Sequence, residues 1–181
     1  DIAANGKKAV DKKPPVWEKL AIIEPDTLQL QFSEPVDLSN SIFILNENEI
    51  TPTKIDILST KPFLMNVALN ENFDKGKIYT LELLQVTDLA GNTLLDNIKK
   101  TGIIEPLAQG DLLLNEVMFN APPTATEYIE IYNASAKTLD VSGIVITTRK
   151  SDGSLNTLRH IPDGKLLAAG GYLAVCQHAD S

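Results

Sequence analysis

The sequence predicts an all-β protein built of two consecutive antiparallel β-sandwiches. Hydrophobic residues make up 43% of the 181 residues, a fraction typical of a globular chain rather than a disordered one. The apolar runs have the length of strands, are rich in Val, Ile, Leu, Thr and Tyr, and end at Pro, Gly, Asn or Asp. Because a domain commonly has about 100–200 residues, a chain of this length accommodates two small sandwiches.

The charge balance argues against a nucleic-acid partner. The chain has 16 Lys and Arg against 24 Asp and Glu, a formal net charge of −8. Binding to a phosphate backbone gains free energy from clustered basic residues, which release counterions, so we expect no nucleic-acid binding. The sequence has no run of 18 apolar residues, so we expect no transmembrane segment in this fragment. It does not open on a signal peptide, and we expect it to be a piece of a longer exported precursor.

A single cysteine, Cys176, excludes an intramolecular disulfide, so we expect packing alone to stabilise the fold. Cys176 lies in a predicted strand at residues 172–177, and we expect it to be a small buried hydrophobe. His178 is two residues away and could act as a base for the thiol, but no third group that would orient this pair is evident.

Residues 1–15 are predicted to be a linker or tail, and residues 16–105 the first sandwich. The linker carries four lysines and ends on Pro14-Pro15, which is typical of an extended connection. In the segment 27–32, apolar residues alternate with glutamines, as in an antiparallel strand with one polar face. Further runs predict strands at 16–24, 41–45, 53–58, 64–69 and 98–104.

Two motifs of the first domain resemble those of the bacterial Ig-like fold found in S-layer and other surface proteins. The early motif is Leu-Gln-Phe-Ser-Glu-Pro-Val at 30–36. The late motif begins with Tyr-Thr-Leu-Glu-Leu at 79–83 and continues with Val-Thr-Asp-Leu-Ala-Gly-Asn at 86–92. The resemblance covers residues 16 to about 104 and implies an Ig-like antiparallel sandwich.

The late motif permits two interpretations. Asp88, Asn92 and Asp96 offer the oxygen ligands that Ca²⁺ prefers, although their spacing is not that of an EF-hand loop. A turn in which Asp88 accepts hydrogen bonds from downstream amides and Gly91 takes a positive φ explains the same residues without metal. We expect the turn, and hence no metal or cofactor.

Residues 111–181 are predicted to be the second domain, after a boundary at 105–110. Apolar runs at 112–119 and 128–132 flank a break at Pro122-Pro123, which predicts two strands and a loop. Alternation places Tyr128, Glu130 and Tyr132 on one face of the second strand, opposite Glu127, Ile129 and Ile131, and Asn133 is a turn residue. Residues 138–148 and 155–161 predict a further hairpin around the turn 151–154.

Four motifs of this second domain resemble the lamin tail domain, an Ig-like sandwich of nuclear lamins and of many exported bacterial proteins. They are Leu-Asn-Glu-Val at 114–117, Glu-Tyr-Ile-Glu-Ile-Tyr-Asn at 127–133, Asp-Val-Ser-Gly-Ile at 140–144 and Leu-Ala-Ala-Gly-Gly-Tyr-Leu at 167–173. Ile144 and Ala169 stand where the family usually has Trp and Pro. From 112 to 181 there are 70 residues against about 100 for an Ig-type sandwich, so we expect the last strands to be missing and a sheet edge to be open.

The best catalytic candidates are Glu116, Glu127 and Glu130, because paired carboxylates can divide acid and base roles in glycoside hydrolysis. Glu127 and Glu130 are predicted on opposite faces of one strand, which is poor geometry for a pair, so we expect these glutamates to bond backbone or cap the sandwich end instead. His160 and His178 lack metal-ligand spacing, and no P-loop, CxxC or serine elbow occurs. The prediction is therefore not an enzyme, with no catalytic, cofactor or metal residues.

The two resemblances imply a non-catalytic extracellular or cell-surface module pair, serving as a spacer, adhesion or interaction segment of a larger bacterial protein. Its partners would be other domains of the same polypeptide, with a cell-surface protein or glycan as a further partner. The alternative is an accessory segment that docks substrate for, or positions, an exported hydrolase or nuclease. Residues 1–5, Asp-Ile-Ala-Ala-Asn, match 88–92 in part and suggest a tandem array.

Overall fold

A computed structural model describes residues 11–61, 63–121 and 125–176. Within these ranges the regular elements are β-strands, and the ladders between them are antiparallel, so the all-β prediction is confirmed. No helix among these residues is long and apolar enough to cross a membrane. The chain divides into two compact units, residues 1–73 with 79–101 and residues 74–78 with 102–181.

The strands of the described residues, in chain order, are β1 (Trp17–Glu24), β2 (Thr27–Phe32), β3 (Val36–Asp37), β4 (Ile42–Leu45), β5 (Asn48–Ile50), β6 (Lys54–Ile57), β7 (Leu64–Ala68), β8 (Ile78–Leu84), β9 (Thr87–Asp88), β10 (Ile98–Gly102), β11 (Leu112–Met118), β12 (Tyr128–Asn133), β13 (Leu139–Asp140), β14 (Val145–Ile146), β15 (Arg159–His160), β16 (Leu166–Leu167) and β17 (Tyr172–Cys176).

The first unit contains two four-stranded sheets, ordered β1-β2-β7-β6 and β10-β8-β4-β5. Pro25 and Asp26 make the tight turn between β1 and β2, where Glu24 pairs with Thr27. In β2 the alternation is as predicted, since Leu28, Leu30 and Phe32 are buried while the intervening glutamines are half-buried. A third, small sheet pairs β3 with β9 and so joins the early motif to the late one.

Large apolar side chains from both four-stranded sheets form the core of the first unit. Trp17 stacks on Phe32 with ring centroids 6.1 Å apart and is almost fully buried. Leu81 and Leu83 come from β8 of the other sheet and are equally buried. Burying one such side chain stabilises the fold by about 1.5–3 kcal/mol. The remaining core residues of this unit include Val36, Phe43, Met65, Val67, Leu69, Phe73, Val86 and Leu94.

The second unit is built on the three-stranded sheet β11-β12-β17, with the two-stranded sheets β13-β16 and β14-β15. Its core consists of Leu139, Val141, Ile161 and Leu167, against which Leu112, Ile131, Ile144, Ile146, Leu173 and Val175 pack. Ile144 therefore contributes an apolar contact at the position where the related motif usually has Trp.

Two predicted strands of the second unit are much shorter than expected. The runs 138–148 and 155–161 yield the two-residue strand β13, which pairs with β16, and the two-residue pairing of β14 with β15. Between them Asp152 accepts hydrogen bonds from the backbone and hydroxyl of Ser154, which closes the predicted turn, and beyond it a single bridge joins Arg149 to Leu155. Most side chains of this hairpin are exposed, so no burial pattern sustains a longer ladder.

β11 is an edge strand within the described residues, because it pairs only with β12. Leu114 and Val117 lie opposite Ile131 and Ile129 in the ladder, yet 65% and 48% of their surface is exposed. An apolar edge of this kind offers unpaired backbone groups to another strand.

Candidate functional site

The structure brings two of the three candidate glutamates together on one face of the β11-β12-β17 sheet. Glu116 and Glu130 are direct cross-strand partners of β11 and β12. Tyr128 donates its hydroxyl to Glu116 Oε1 over 2.9 Å. Asn115, the extra residue of a bulge in β11, donates its amide Nδ2 to Glu130 Oε1 over 2.6 Å. Each carboxylate is thus held by a neutral donor from the neighbouring strand.

Glu127 has a different role, because it lies just before β12 and outside the ladder. Its Oε1 accepts a hydrogen bond from the backbone N–H of Asn120 over 2.9 Å. Asn120 has a φ of 60°, a left-handed conformation that Asn tolerates better than most residues. Glu127 therefore fixes the end of the β11 segment, as the expected backbone-bonding role requires.

The carboxylate of Glu116 perturbs the neighbouring phenol. The pKa of Tyr128 is raised above its ordinary value, chiefly because its hydroxyl donates to Glu116, with partial burial and the charges of Glu116 and Glu130 adding to the effect. Tyr128 therefore stays protonated and remains a donor at neutral pH. A tyrosine held in this way serves as a structural link rather than as a general base.

Two further tyrosines extend the same surface. Tyr132 of β12 lies opposite Tyr172 of β17, and their ring centroids are 4.7 Å apart at 30°. Tyr172 is 56% exposed and Tyr132 is half-buried. We call Glu116, Tyr128, Glu130, Tyr132 and Tyr172 the tyrosine–glutamate face. It presents rings and carboxylates to solvent on the side of the sheet away from the core.

Cys176 lies on this outer side, and the prediction that it is buried is wrong. Side chains alternate along β17, and Leu173 and Val175 are the residues that pack against the core. Cys176 therefore points away from the core with Tyr172, and it is exposed. His178, its suggested partner, lies outside the described residues. His160 is an exposed residue of β15, paired with Val145.

The Asp88–Asn92 segment forms the expected turn. Asp88 Oδ1 accepts hydrogen bonds from the backbone N–H groups of Ala90 and Asn92, each over 2.8 Å, and its Oδ2 accepts from the Asn92 amide over 2.7 Å. Gly91 has a φ of 90°. These hydrogen bonds lower the pKa of Asp88, the side-chain bond from Asn92 most of all, against an opposing effect of burial.

The structure also places two acidic groups near Asp88 that sequence reasoning missed. One carboxylate oxygen each from Asp11, Glu34 and Asp88 lie within 4.8 Å of one another. Glu34 and Asp88 meet because β3, just after Glu34, pairs with β9, which ends at Asp88, and the Asp11 carbonyl accepts a hydrogen bond from the Asn92 amide over 3.3 Å. Asp96, named beforehand, instead has a carboxylate 3.9 Å from the ammonium of Lys99. Glu34 belongs to the early motif and Asp88 to the late one, so a prediction that the two motifs pair would have brought these two residues together. Asp11 lies outside both motifs.

Asn133 is the residue whose importance the sequence least revealed. It is fully buried, and its Nδ2 lies within hydrogen-bond distance of the carbonyls of Lys137, Leu167 and Ala168 at 2.8–3.1 Å. Its Oδ1 accepts from the backbone and hydroxyl of Ser135. The predicted turn residue thus also ties the end of β12 to the segment after β16.

Residues 105–181 match the family model described as the Lamin Tail Domain. This confirms the resemblance predicted for residues 111–181 from the four motifs. No curated protein matches the chain significantly.

Three solved structures of the bacterial S-layer protein SbsC are also similar to this chain. Its N-terminal part gives a TM-score of 0.43 at 17% identity, covering 92% of this chain and 41% of that one. The structure of rSbsC gives the same TM-score and identity with 24% of that chain covered, and domains 1–6 give 0.45 at 16% identity, covering 93% and 24%. This chain thus spans less than half of each S-layer chain. Structural similarity at these TM-scores does not indicate a function.

Proposed function

We propose, from the lamin-tail match over residues 105–181, that this chain is a non-catalytic pair of β-sandwich modules in a larger extracellular or cell-surface protein. The modules would comprise residues 16–105 and 111–181. Their role would be that of a spacer, adhesion or interaction segment, with other domains of the same polypeptide as its first partners. A fold alone does not assign a function, so the support must come from what the candidate site residues do.

The observation that supports the proposal is that the carboxylates of the three candidate glutamates all accept structural hydrogen bonds. Glu116 and Glu130 accept hydrogen bonds from Tyr128 and Asn115 on the neighbouring strand, and Glu127 accepts one from the Asn120 backbone. Each carboxylate thereby links two parts of the sheet. Carboxylates whose oxygens hold neighbouring strands and a backbone N–H in this way have a structural role in the sheet.

The test is to define the native polypeptide. Its complete reading frame should contain further non-catalytic modules, and antibodies raised against residues 11–176 should label intact cells. A catalytic domain in the same reading frame would contradict the plain spacer role. It would favour the accessory role instead, in which this segment positions an exported hydrolase or nuclease. Labelling only after the cells are lysed would contradict the surface location.

A matched experiment addresses the glutamates directly. Glu116→Gln and Glu130→Gln variants of this chain should fold with little loss of stability and show no change in activity, because the amide oxygen of Gln still accepts the cross-strand hydrogen bond. Polysaccharide and nucleic-acid substrates incubated with the wild-type chain should remain intact. Turnover that disappears in either Gln variant, with the folded state preserved by circular dichroism, would overturn the proposal.

A further inference from the structure

The tyrosine–glutamate face carries negative charge that the described residues do not neutralise. The donors to Glu116 and Glu130 are a phenol and an amide, both neutral. Within the described residues, the ion pairs of the structure involve neither glutamate. The chain as a whole is acidic, at −8. The electrostatic potential of this surface therefore favours a cationic ligand over a neutral or anionic one.

The aromatic rings favour the same kind of ligand. A Lys ammonium within about 6 Å of a tyrosine ring centroid is attracted by the negative face of the ring. Tyr172 is the most accessible ring of the face and lies against Tyr132. Along β12, Glu130 lies between Tyr128 and Tyr132, so each ring has a carboxylate about 7 Å along the strand. Ring and carboxylate together form a repeated site for an ammonium group.

We propose that the tyrosine–glutamate face binds a lysine-bearing extended segment, and that its occupant is residues 7–13 of a second copy of this chain. That segment, Lys-Lys-Ala-Val-Asp-Lys-Lys, has four lysines and one aspartate, a net charge of 4 − 1 = +3. Lys12 and Lys13 are exposed, and within the described residues neither is in an ion pair. The charges of face and segment are complementary.

The spacing of the lysines matches the face. Lys8 and Lys12 are four residues apart, as are Tyr128 and Tyr132. Side chains four residues apart in an extended chain lie on one side, about 13 Å from each other. An extended segment laid along β12 can therefore bring Lys8 and Lys12 to the two rings at once. Pro14 favours extended backbone at Lys13, the residue directly before it.

This inference goes beyond the proposed module role and does not depend on it. If the chain is a spacer and its tyrosine–glutamate face binds nothing, the module proposal holds and the binding proposal fails. If the chain is an accessory module of an enzyme and the face binds the lysine segment, the binding proposal holds and the spacer role fails. The occupant is a segment of the chain itself, so the experiment needs no unidentified ligand.

The test is a titration of the full chain, at micromolar concentration, with a synthetic peptide of residues 5–15, followed by NMR. We expect shifts of the Tyr132 and Tyr172 ring signals and a dissociation constant in the millimolar range or below. Raising the salt from about 20 mM to about 500 mM should weaken binding several-fold, because screening shortens the reach of exposed charges. A peptide with all four lysines replaced by glutamine should cause no shift.

Variants of the face locate the binding. Glu130→Gln and Tyr172→Ala should each weaken peptide binding by roughly two- to fivefold, whereas Tyr172→Phe should retain it because the ring is preserved. Glu49→Gln is the matched control, an exposed carboxylate of β5 outside the face. Folding of each variant is checked by circular dichroism, and Glu130→Gln keeps the test decisive if Tyr172→Ala unfolds.

Several results would overturn the inference. One is the absence of ring shifts at millimolar peptide, and another is equal binding of the lysine-free peptide. Binding that Glu130→Gln and Tyr172→Ala leave unchanged would place the segment elsewhere. Shifts with a neutral oligosaccharide but not with the peptide would show that the rings serve a glycan instead. In sedimentation equilibrium, the wild-type chain should self-associate weakly at low salt and be dissociated by the peptide, and a strictly monomeric chain would count against a second copy.

Discussion

Replacing Asn133 with alanine should destabilise the second unit selectively. Asn133 is fully buried and hydrogen-bonds through both atoms of its amide group. Its two N–H bonds are directed among three backbone carbonyls, and its oxygen holds Ser135. The Ala variant removes all of these bonds and takes away the side-chain donor to the buried carbonyl of Leu167.

The expected loss can be worked from these contacts. Two donors and one acceptor are lost, and a typical hydrogen bond contributes about 1 kcal/mol net, so the loss is about 3 kcal/mol. A domain of 60–100 residues changes its melting temperature by about 4–8 °C per kcal/mol, so the midpoint should fall by about 12–24 °C. Asn133→Asp should be at least as damaging at neutral pH, because it turns a carboxylate toward carbonyl oxygens. Burial raises the pKa of that carboxyl group, so acidification should partly restore stability.

The chain offers separate probes for its two units. Trp17 is the only tryptophan and lies in the core of the first unit, so its fluorescence reports that unit. The ring signals of Tyr132 and Tyr172 report the second. Urea unfolding of Asn133→Ala should shift the second transition and leave the tryptophan transition in place. Asn156→Ala, an exposed control, should cost less than about 0.5 kcal/mol. A loss below about 1 kcal/mol for Asn133→Ala would refute this account of Asn133.

Three further predictions concern the turn, the phenol and the thiol. Because the pKa of Asp88 is lowered, its contribution to stability is present above about pH 4 and is lost as the pH falls through the lowered value. Thermal melts at pH 2–5 should show this acid dependence in the wild-type chain and not in Asp88→Asn. Thermal melts with EDTA and with added calcium should coincide. In an ultraviolet titration Glu116→Gln should bring the raised pKa of Tyr128 back toward its ordinary value, and an unchanged titration would contradict the Tyr128–Glu116 bond. Cys176 should be labelled by a maleimide in the native chain as readily as in urea, and protection from labelling would contradict its exposure.

The strands of the first unit could be predicted closely, because their sequence pattern and their burial agree. β2 begins and ends at the predicted residues, since Leu28, Leu30 and Phe32 alternate with glutamines between two turn signals. The Asp88 turn was predictable for a similar reason. Its acceptor, its glycine and its asparagine are neighbours in sequence, so the whole motif is visible locally.

The features that sequence reasoning missed depend on contacts between distant residues. Alternation along β17 gives two faces, but only the packing of Leu173 and Val175 decides that Cys176 lies on the exposed one. Glu34 and Asp88 meet because β3 pairs with β9, a pairing that neither strand encodes alone. Asn133 looks like an ordinary turn residue until the carbonyl of Leu167, 34 positions later, lies beside its amide.

The strand β12 shows why a family match and a binding face are independent properties of one motif. Ile131 packs against the core and Asn133 fixes the end of the strand, so these positions report the fold. Tyr128, Glu130 and Tyr132 lie on the other side, where their hydrogen bonds and ring contacts are with residues of β11 and β17. A change at Glu130 can therefore alter what the sheet binds at little cost to the core, whereas a change at Ile131 alters stability and no ligand. The same alternation that makes the strand recognisable leaves its outer side open to a ligand that the family resemblance does not specify.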